Sequence, residues 1–179
     1  MNTSDTTSNQ ESADTLAERV NNRSRRPSSD AFREFMGSNW GPRPDAGITR
    51  APVADYLPVR AVAAGEPFPG ERLVIPAGTY KVRSNDCTYR FRAYSAFAHL
   101  SGLGQEREPD SVIVLEPLPS GGHEAVLFFK PRTSRSSQEF YSDSRYGEFW
   151  VGARPSLEEV ATETGLRCEH IDTLRDALA

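Results

Sequence analysis

What this sequence has little of narrows its chemistry before any motif is read. Its 179 residues include two cysteines and three histidines. Cys87 and Cys168 are too few to frame a disulfide-stapled fold. His99, His123 and His170 fall in three separate segments, and there is no HExxH, no His–Cys zinc spacing and no carboxylate-rich calcium loop. No apolar run approaches the roughly 20 residues of a membrane helix, and the N-terminus lacks a signal peptide's basic-then-apolar order. There is no G-x-S-x-G elbow, no P-loop and no dinucleotide fingerprint. A net charge of −4 gives no general attraction to nucleic acid or anionic membrane. The default expectation is a cytoplasmic protein with no nucleic-acid or membrane partner.

What is present organises into three parts. Residues 1–28, rich in Ser, Thr, Asn and Gln, carry too little apolar surface to offset the entropy of ordering and read as a disordered tail. The "RSRR" at 23–26 reads as solvated charge rather than a phosphate-binding arm. Residues 29–54 read as a helix plus a Pro/Gly-rich linker, with Ser29 or Asp30 as N-cap and Phe32, Phe35 and Met36 at helical spacing. Residues 55–179 read as the folded domain.

Within that domain, "VADYLPVRAVAAG" predicts a helix started or interrupted at Pro58 and closed at Gly65. "GERLVIPAG" predicts a short buried strand over Leu73–Ile75. "SVIVLEP" and "HEAVLFFK", joined by "LPSGG", predict an antiparallel hairpin with both strands mostly buried. "EFYSDSRYGEFWVG" reads as an aromatic-rich connection. "PSLEEVATETG" predicts a helix between Pro155 and Gly165, and "HIDTLRDALA" a last helix with Ile171, Leu174 and Leu178 on one face. Strands, flanking helices and one antiparallel pair together predict an α/β domain with a mixed β-sheet covered by helices.

The candidate chemical groups are sparse. His99 lies on an apolar stretch and is expected in the core, His123 in a turn, and His170 on the surface at the start of the last helix. Arg83 and Arg90 would favour a Cys87 thiolate, but no histidine lies nearby in sequence to act as base, so a packing cysteine is expected. Tyr89 and Phe91 alternate with Arg90 and Arg92, which at period two places aromatics and arginines on opposite faces of a strand. Arg92 is expected to pair with a buried carboxylate.

One stretch carries more information than any single residue. "RSNDCTYRFRAYSAFAHLSGL", followed by "PDSVIVLEP", "HEAVLFFKPR" and "EFWVG", resembles the N-terminal domain of aminopeptidase P, the Xaa-Pro aminopeptidase family. The pattern R-x-x-D, then Y-x-[FY]-R, then S-x-F and a small residue before Gly is met by Arg83, Asp86, Tyr89, Phe91, Arg92, Ser95, Phe97 and Ser101-Gly102. Several motifs in register over residues 55–179 are a strong signal.

The resemblance implies a creatinase/aminopeptidase P N-terminal-domain fold with a ribonuclease H-like motif. It also implies a catalytic pita-bread domain that this chain does not contain, holding two metal ions, usually Mn(2+), on two aspartates, a histidine and two glutamates. This chain is then expected to hold no metal and no catalytic residue, and to be inactive alone. Two positions carry over from the family. Asp86 matches an acidic residue that reaches a neighbouring subunit's site near the substrate's free amine. Trp150, in "EFWVG", matches a tryptophan bordering the substrate pocket. The implied partners are the C-terminal catalytic domain, further copies in a dimer or tetramer, and a peptide substrate with proline second. Prolidase and creatinase carry related domains, and the R-x-x-D before Y-x-F-R favours aminopeptidase P over prolidase. A stand-alone, non-enzymatic binding module of the same fold is the other reading. Residues 1–54 match nothing in the common family pattern.

Overall fold

The hairpin expected from two runs rich in β-branched and aromatic residues forms the centre of the sheet. In the computed structural model, which describes residues 29–43, 47–85 and 87–179, β4 (Val112–Pro117) pairs antiparallel with β5 (His123–Phe129). The tail expected over 1–28 lies outside the described residues, as does Asp86. The turn between the strands uses the glycines for their conformational freedom. Gly121 and Gly122 take φ of +87° and +81°, and the Leu118 amide donates to the Gly122 carbonyl at 3.0 Å.

β1 (Leu73–Pro76) adds antiparallel to β4, and β6 (Arg167–His170) adds parallel to β5, giving the order β1-β4-β5-β6. The sheet is therefore mixed, as expected. β1 is not buried as its sequence implies. It is an edge strand with alternating exposure and Val74 47% exposed, because only one of its faces meets the core. β6 replaces the start of the helix expected from His170. The chain then makes a 3-10 turn, Ile171–Thr173, before a short helix at Leu174–Ala177. His170 ends the strand and accepts the Asp172 amide on Nδ1 at 3.2 Å. Ile171 and Leu174 pack on Val114, Val126 and Phe128, while Leu178 is 37% exposed.

The opposite sheet face carries the main core. Ile113, Leu115, Leu127 and Phe129 meet Leu57 and Ala61, Phe97 and Leu100, and Val160, from three helices: Leu57–Gly65, Ser95–Ser101 and Leu157–Thr164. Each helix starts or stops for a local reason. Pro58 sits in the first turn of Leu57–Gly65, where its missing N–H costs nothing. Leu157–Thr164 opens on a capping box between Ser156 and Glu159 and closes on Gly165 at φ +71°.

Two compact units can be distinguished. One comprises 44–132 and 153–179 and holds the sheet and its helices. The other comprises, among the described residues, 29–43 together with 133–152. In the second, α1 (Asp30–Gly37) is capped by Ser29, whose hydroxyl accepts the Phe32 amide at 3.2 Å. Phe32 and Met36 are half-buried as their spacing predicts, but Phe35 is 70% exposed. The aromatic connection is partly helical, with α-helices at Gln138–Ser142 and Glu148–Val151.

Candidate functional site

The polar run that opens the family motif forms a second, two-stranded sheet. In it β2 (Val82–Ser84) pairs with β3 (Cys87–Thr88) through Val82–Thr88 and Ser84–Cys87. Both strands are exposed along their length, since Arg83, Ser84 and Asn85 offer no apolar face to bury. Asn85 takes φ +40°, the left-handed region that asparagine tolerates. Asp86 follows it in sequence. The hairpin is tied down at its base: the Tyr89 amide donates to Lys81 and the Tyr94 amide to Ala77, each at 2.9 Å.

The alternation from Tyr89 to Arg92 does not make a strand. Residues 89–94 are irregular. Phe91 is buried at 4% exposure and meets Tyr80 edge-on at 5.6 Å, while Tyr89 is 58% exposed. The aromatics therefore do not share a face, because the chain bends into the core at Phe91 and lacks a neighbouring strand to hold a pleat. Arg90 lies 3.4 Å from Glu106. Arg92 is exposed and makes no ion pair among the described residues, contrary to its expected buried pairing.

The buried carboxylate belongs to another arginine. Glu108, 4% exposed, binds Arg154 at 3.0 Å. Arg107 reaches Glu163 at 2.8 Å and stands 3.9 Å from Glu108. Burial pushes the Glu108 carboxyl above its ordinary range, with Arg154 and then Arg107 opposing that rise. Glu106, Glu108 and Asp110 all take positive φ, so this loop holds its shape through the network rather than through favourable backbone angles. The partners lie 46 residues apart.

Trp150 sits on the four-residue helix Glu148–Val151. It is 60% exposed, and its indole N–H donates to the Tyr141 carbonyl at 2.6 Å. Phe149 stands edge-on to it at 5.9 Å. Gly147, which caps this helix, has no room for a side chain, since a Cβ would stand 2.6 Å from the carbonyls of Glu139, Phe140 and Asp143. Trp150 and the β2–β3 strands that flank position 86 in sequence belong to different compact units.

The histidines and cysteines depart from expectation in part. His99 is exposed rather than in the core, because Phe97, Leu100 and Ser101 take the buried face of its helix. His123 opens β5, with Nε2 at 2.8 Å from the Glu71 carbonyl. Cys87 is exposed rather than packed. Cys168 is half-buried, and burial pushes its thiol up to about 12, the Glu108 carboxylate adding to the rise. At pH 8 on the order of one Cys168 in 10⁴ is then thiolate, the reactive form. Brief iodoacetamide treatment of the folded chain is expected to label Cys87 and spare Cys168, read by peptide mass. Comparable rates at the two sites would contradict this assignment. Among the described residues, no three His, Cys, Asp or Glu side chains cluster as a metal site, and no helix is long and apolar enough to cross a membrane.

Comparison with known proteins places this arrangement. Residues 59–179 match the family model for the aminopeptidase P, N-terminal domain. Xaa-Pro aminopeptidase 2 of Streptomyces coelicolor is 41% identical over 145 residues, covering 81% of this chain and 30% of the relative. Xaa-Pro aminopeptidase 1 of the same organism is 39% identical over 150 residues, covering 84% and 30% respectively. A match of that length within 179 residues necessarily takes in 30–150, so it reaches upstream of the family domain. The chain thus spans about 30% of the length of these relatives. Among solved structures, aminopeptidase P from Escherichia coli in its low-pH form shares the fold, with a TM-score of 0.55 and 24% identity over 70% of this chain and 26% of that one. Proline aminopeptidase P II from Yersinia pestis aligns at TM-score 0.54 with 25% identity, over 70% of this chain and 26% of that one. By sequence and by fold, the chain belongs to the aminopeptidase P N-terminal domain family.

Proposed function

We propose that this chain is the non-catalytic N-terminal part of a cytoplasmic Xaa-Pro aminopeptidase, in which it shapes the substrate site and helps assemble the oligomer. The reading is supported above all by the two Streptomyces Xaa-Pro aminopeptidases, each matching more than four fifths of this chain. Hydrolysis of the Xaa-Pro bond, and the two manganese ions expected for it, fall to a C-terminal pita-bread domain outside these 179 residues. The described residues bring no ligand set together, so no catalytic step is assigned to them.

Asp86 supplies the charge test that an aminopeptidase needs. The enzyme must tell a free N-terminal ammonium from an internal amide, and an aspartate carboxylate, with a reference pKa of about 3.9, is ionised when the ammonium is charged. It reaches the substrate from across a subunit boundary. Trp150 contributes an apolar wall beside the substrate. Its indole N–H is satisfied by Tyr141, which leaves the ring face for the peptide.

The test uses the full-length protein. Asp86→Asn is expected to lower kcat/KM on a proline-second peptide by roughly 10- to 150-fold, the loss of a hydrogen bond to a charged group worth about 1.5–3 kcal/mol. Metal content stays unchanged, and rejection of the N-acetylated peptide weakens. A folded Asp86→Asn protein with wild-type kcat/KM and intact rejection of acetylated peptide would reduce Asp86 to a turn-capping residue, the common role of Asp after Asn in a turn.

A further inference from the structure

The segment upstream of the family domain is packed against the helix that carries Trp150. That helix is four residues long and leaves Phe149, Trp150 and Val151 exposed, and its neighbour at Gln138–Ser142 has five residues. Helices this short do not hold themselves. Each is gripped from the upstream segment. Phe32 of α1 meets Tyr141 edge-on at 5.5 Å, and Trp40 meets Phe140 at 5.1 Å and Phe149 at 6.4 Å.

Polar contacts fix the same register. Arg43 binds the Glu148 carboxylate at 2.5 Å, where the Glu148 side chain is only 8% exposed, and donates to the Thr133 carbonyl at 3.1 Å. The Trp40 indole donates to Met36 at 2.6 Å, which locks its ring to the end of α1. The Arg135 guanidinium lies over the same ring, 5.5 Å from its centroid, and donates to the Gly41 carbonyl. Gly37 lets this approach happen, since a Cβ there would stand 3.2 Å from the Arg135 carbonyl. All of these groups lie in one compact unit.

We propose that residues 29–43 form a brace whose Trp40 and Arg43 position the 138–151 segment, and through it Trp150. Trp40 and Arg43 are thus positioning residues for the substrate site, a role that rests on the reading of Trp150 given above. They set where the ring stands without touching the peptide.

The 179-residue chain tests the brace directly. Trp40→Ala is expected to speed amide exchange in 138–151 about tenfold, the loss of two aromatic edge contacts, with β4 and β5 unchanged. Trp40→Phe keeps most of the protection. Because the sequence has two tryptophans, either variant leaves Trp150 as the sole tryptophan, excited selectively at wavelengths that tyrosine does not absorb. Acrylamide should quench it more readily in the alanine variant than in the phenylalanine variant. Unchanged exchange in 138–151 overturns the proposal, and so does an equal rise in β4–β5, which would mark a general loss of stability. In the full-length protein, Trp40→Ala should raise KM for a proline-second peptide severalfold at nearly constant kcat, and Trp40→Phe should restore it. If Trp150→Ala raises KM and Trp40→Ala does not, the brace does not position Trp150 and the proposal fails. If Trp150→Ala leaves KM unchanged, it is the substrate reading of Trp150 that fails, and the exchange result alone decides the brace.

Discussion

Arg154→Met is expected to destabilise the sheet-bearing unit by about 3–5 kcal/mol at neutral pH, the usual cost of removing one partner of a buried ion pair. The Arg154 side chain is 9% exposed and Glu108 4%, with 3.0 Å between them. Arg154 also donates to the Lys130 carbonyl at 2.7 Å. Methionine keeps much of the volume and supplies neither charge nor donor. Glu108 would then face Arg107 at 3.9 Å, and Arg107 is already engaged by Glu163 at 2.8 Å. Typical domains hold about 5–15 kcal/mol, so a large share of the total would go. Urea denaturation of the 179-residue chain measures it. Circular dichroism is the suitable probe, because Trp40 and Trp150 both lie in the other unit.

The deficit should depend on pH, with a sign fixed by Glu108. Burial, the largest influence, holds its pKa above the ordinary value, and Arg154 is the largest opposing charge. For an acid raised in the folded state, the native protein keeps a proton that the unfolded chain has released. Stability therefore falls as pH rises from the unfolded pKa through the folded one. Without Arg154 the folded pKa moves higher and that window widens. The gap between wild type and Arg154→Met should be small in acid, where Glu108 is protonated in both, and should grow as pH rises. A gap constant between about pH 4 and 8 would mean that Arg154 contributes only packing and its hydrogen bond to Lys130, and nothing through the Glu108 charge.

How much of this could be read from the sequence follows from how local each cause is. The β4–β5 hairpin was legible because its two apolar runs and its glycine turn lie within 18 residues of chain (112–129). Leu157–Thr164 was legible from Pro155 and Gly165, which bracket it within a few residues of its own ends. β6 was not, because four residues show no period and their strand state comes from pairing with Val126–Phe129, some 40 positions upstream. His99 misled for a related reason: an apolar neighbourhood in sequence does not say which face of a helix turns inward. The Glu108–Arg154, Trp40–Phe140 and Arg43–Glu148 contacts join residues 46 or more positions apart. The one available signal for the brace was an unexplained "FREFMGSNW" ahead of a domain whose connection was rich in aromatics. The family motif was legible as a pattern, but the pattern does not say which of its residues build the fold and which serve the site.

Phe97→Ala separates those two roles. Phe97 is fully buried, packed in the cluster with Leu57, Leu100, Leu127 and Phe129, and truncating a buried phenylalanine costs about 3–5 kcal/mol in lost transfer energy and residual cavity. Its helix, Ser95–Ser101, buries Phe97, Leu100 and Ser101 at spacings of three and four, and it ends at Gly102 with φ +68°. A side chain at Gly102 would stand 2.7 Å from Val53 Cγ1, so the small-residue-then-Gly part of the motif is also set by packing. The melting temperature should therefore fall by on the order of 10 °C, with Phe97→Leu recovering most of the loss because it keeps an apolar filling. In the full-length protein, Phe97→Ala assayed well below its melting point should keep near-wild-type kcat/KM, the reverse of the result expected for Asp86→Asn. An unchanged melting temperature would remove Phe97 from the core. A large drop in kcat/KM with the protein still folded would place the S-x-F part of the motif in the substrate site after all.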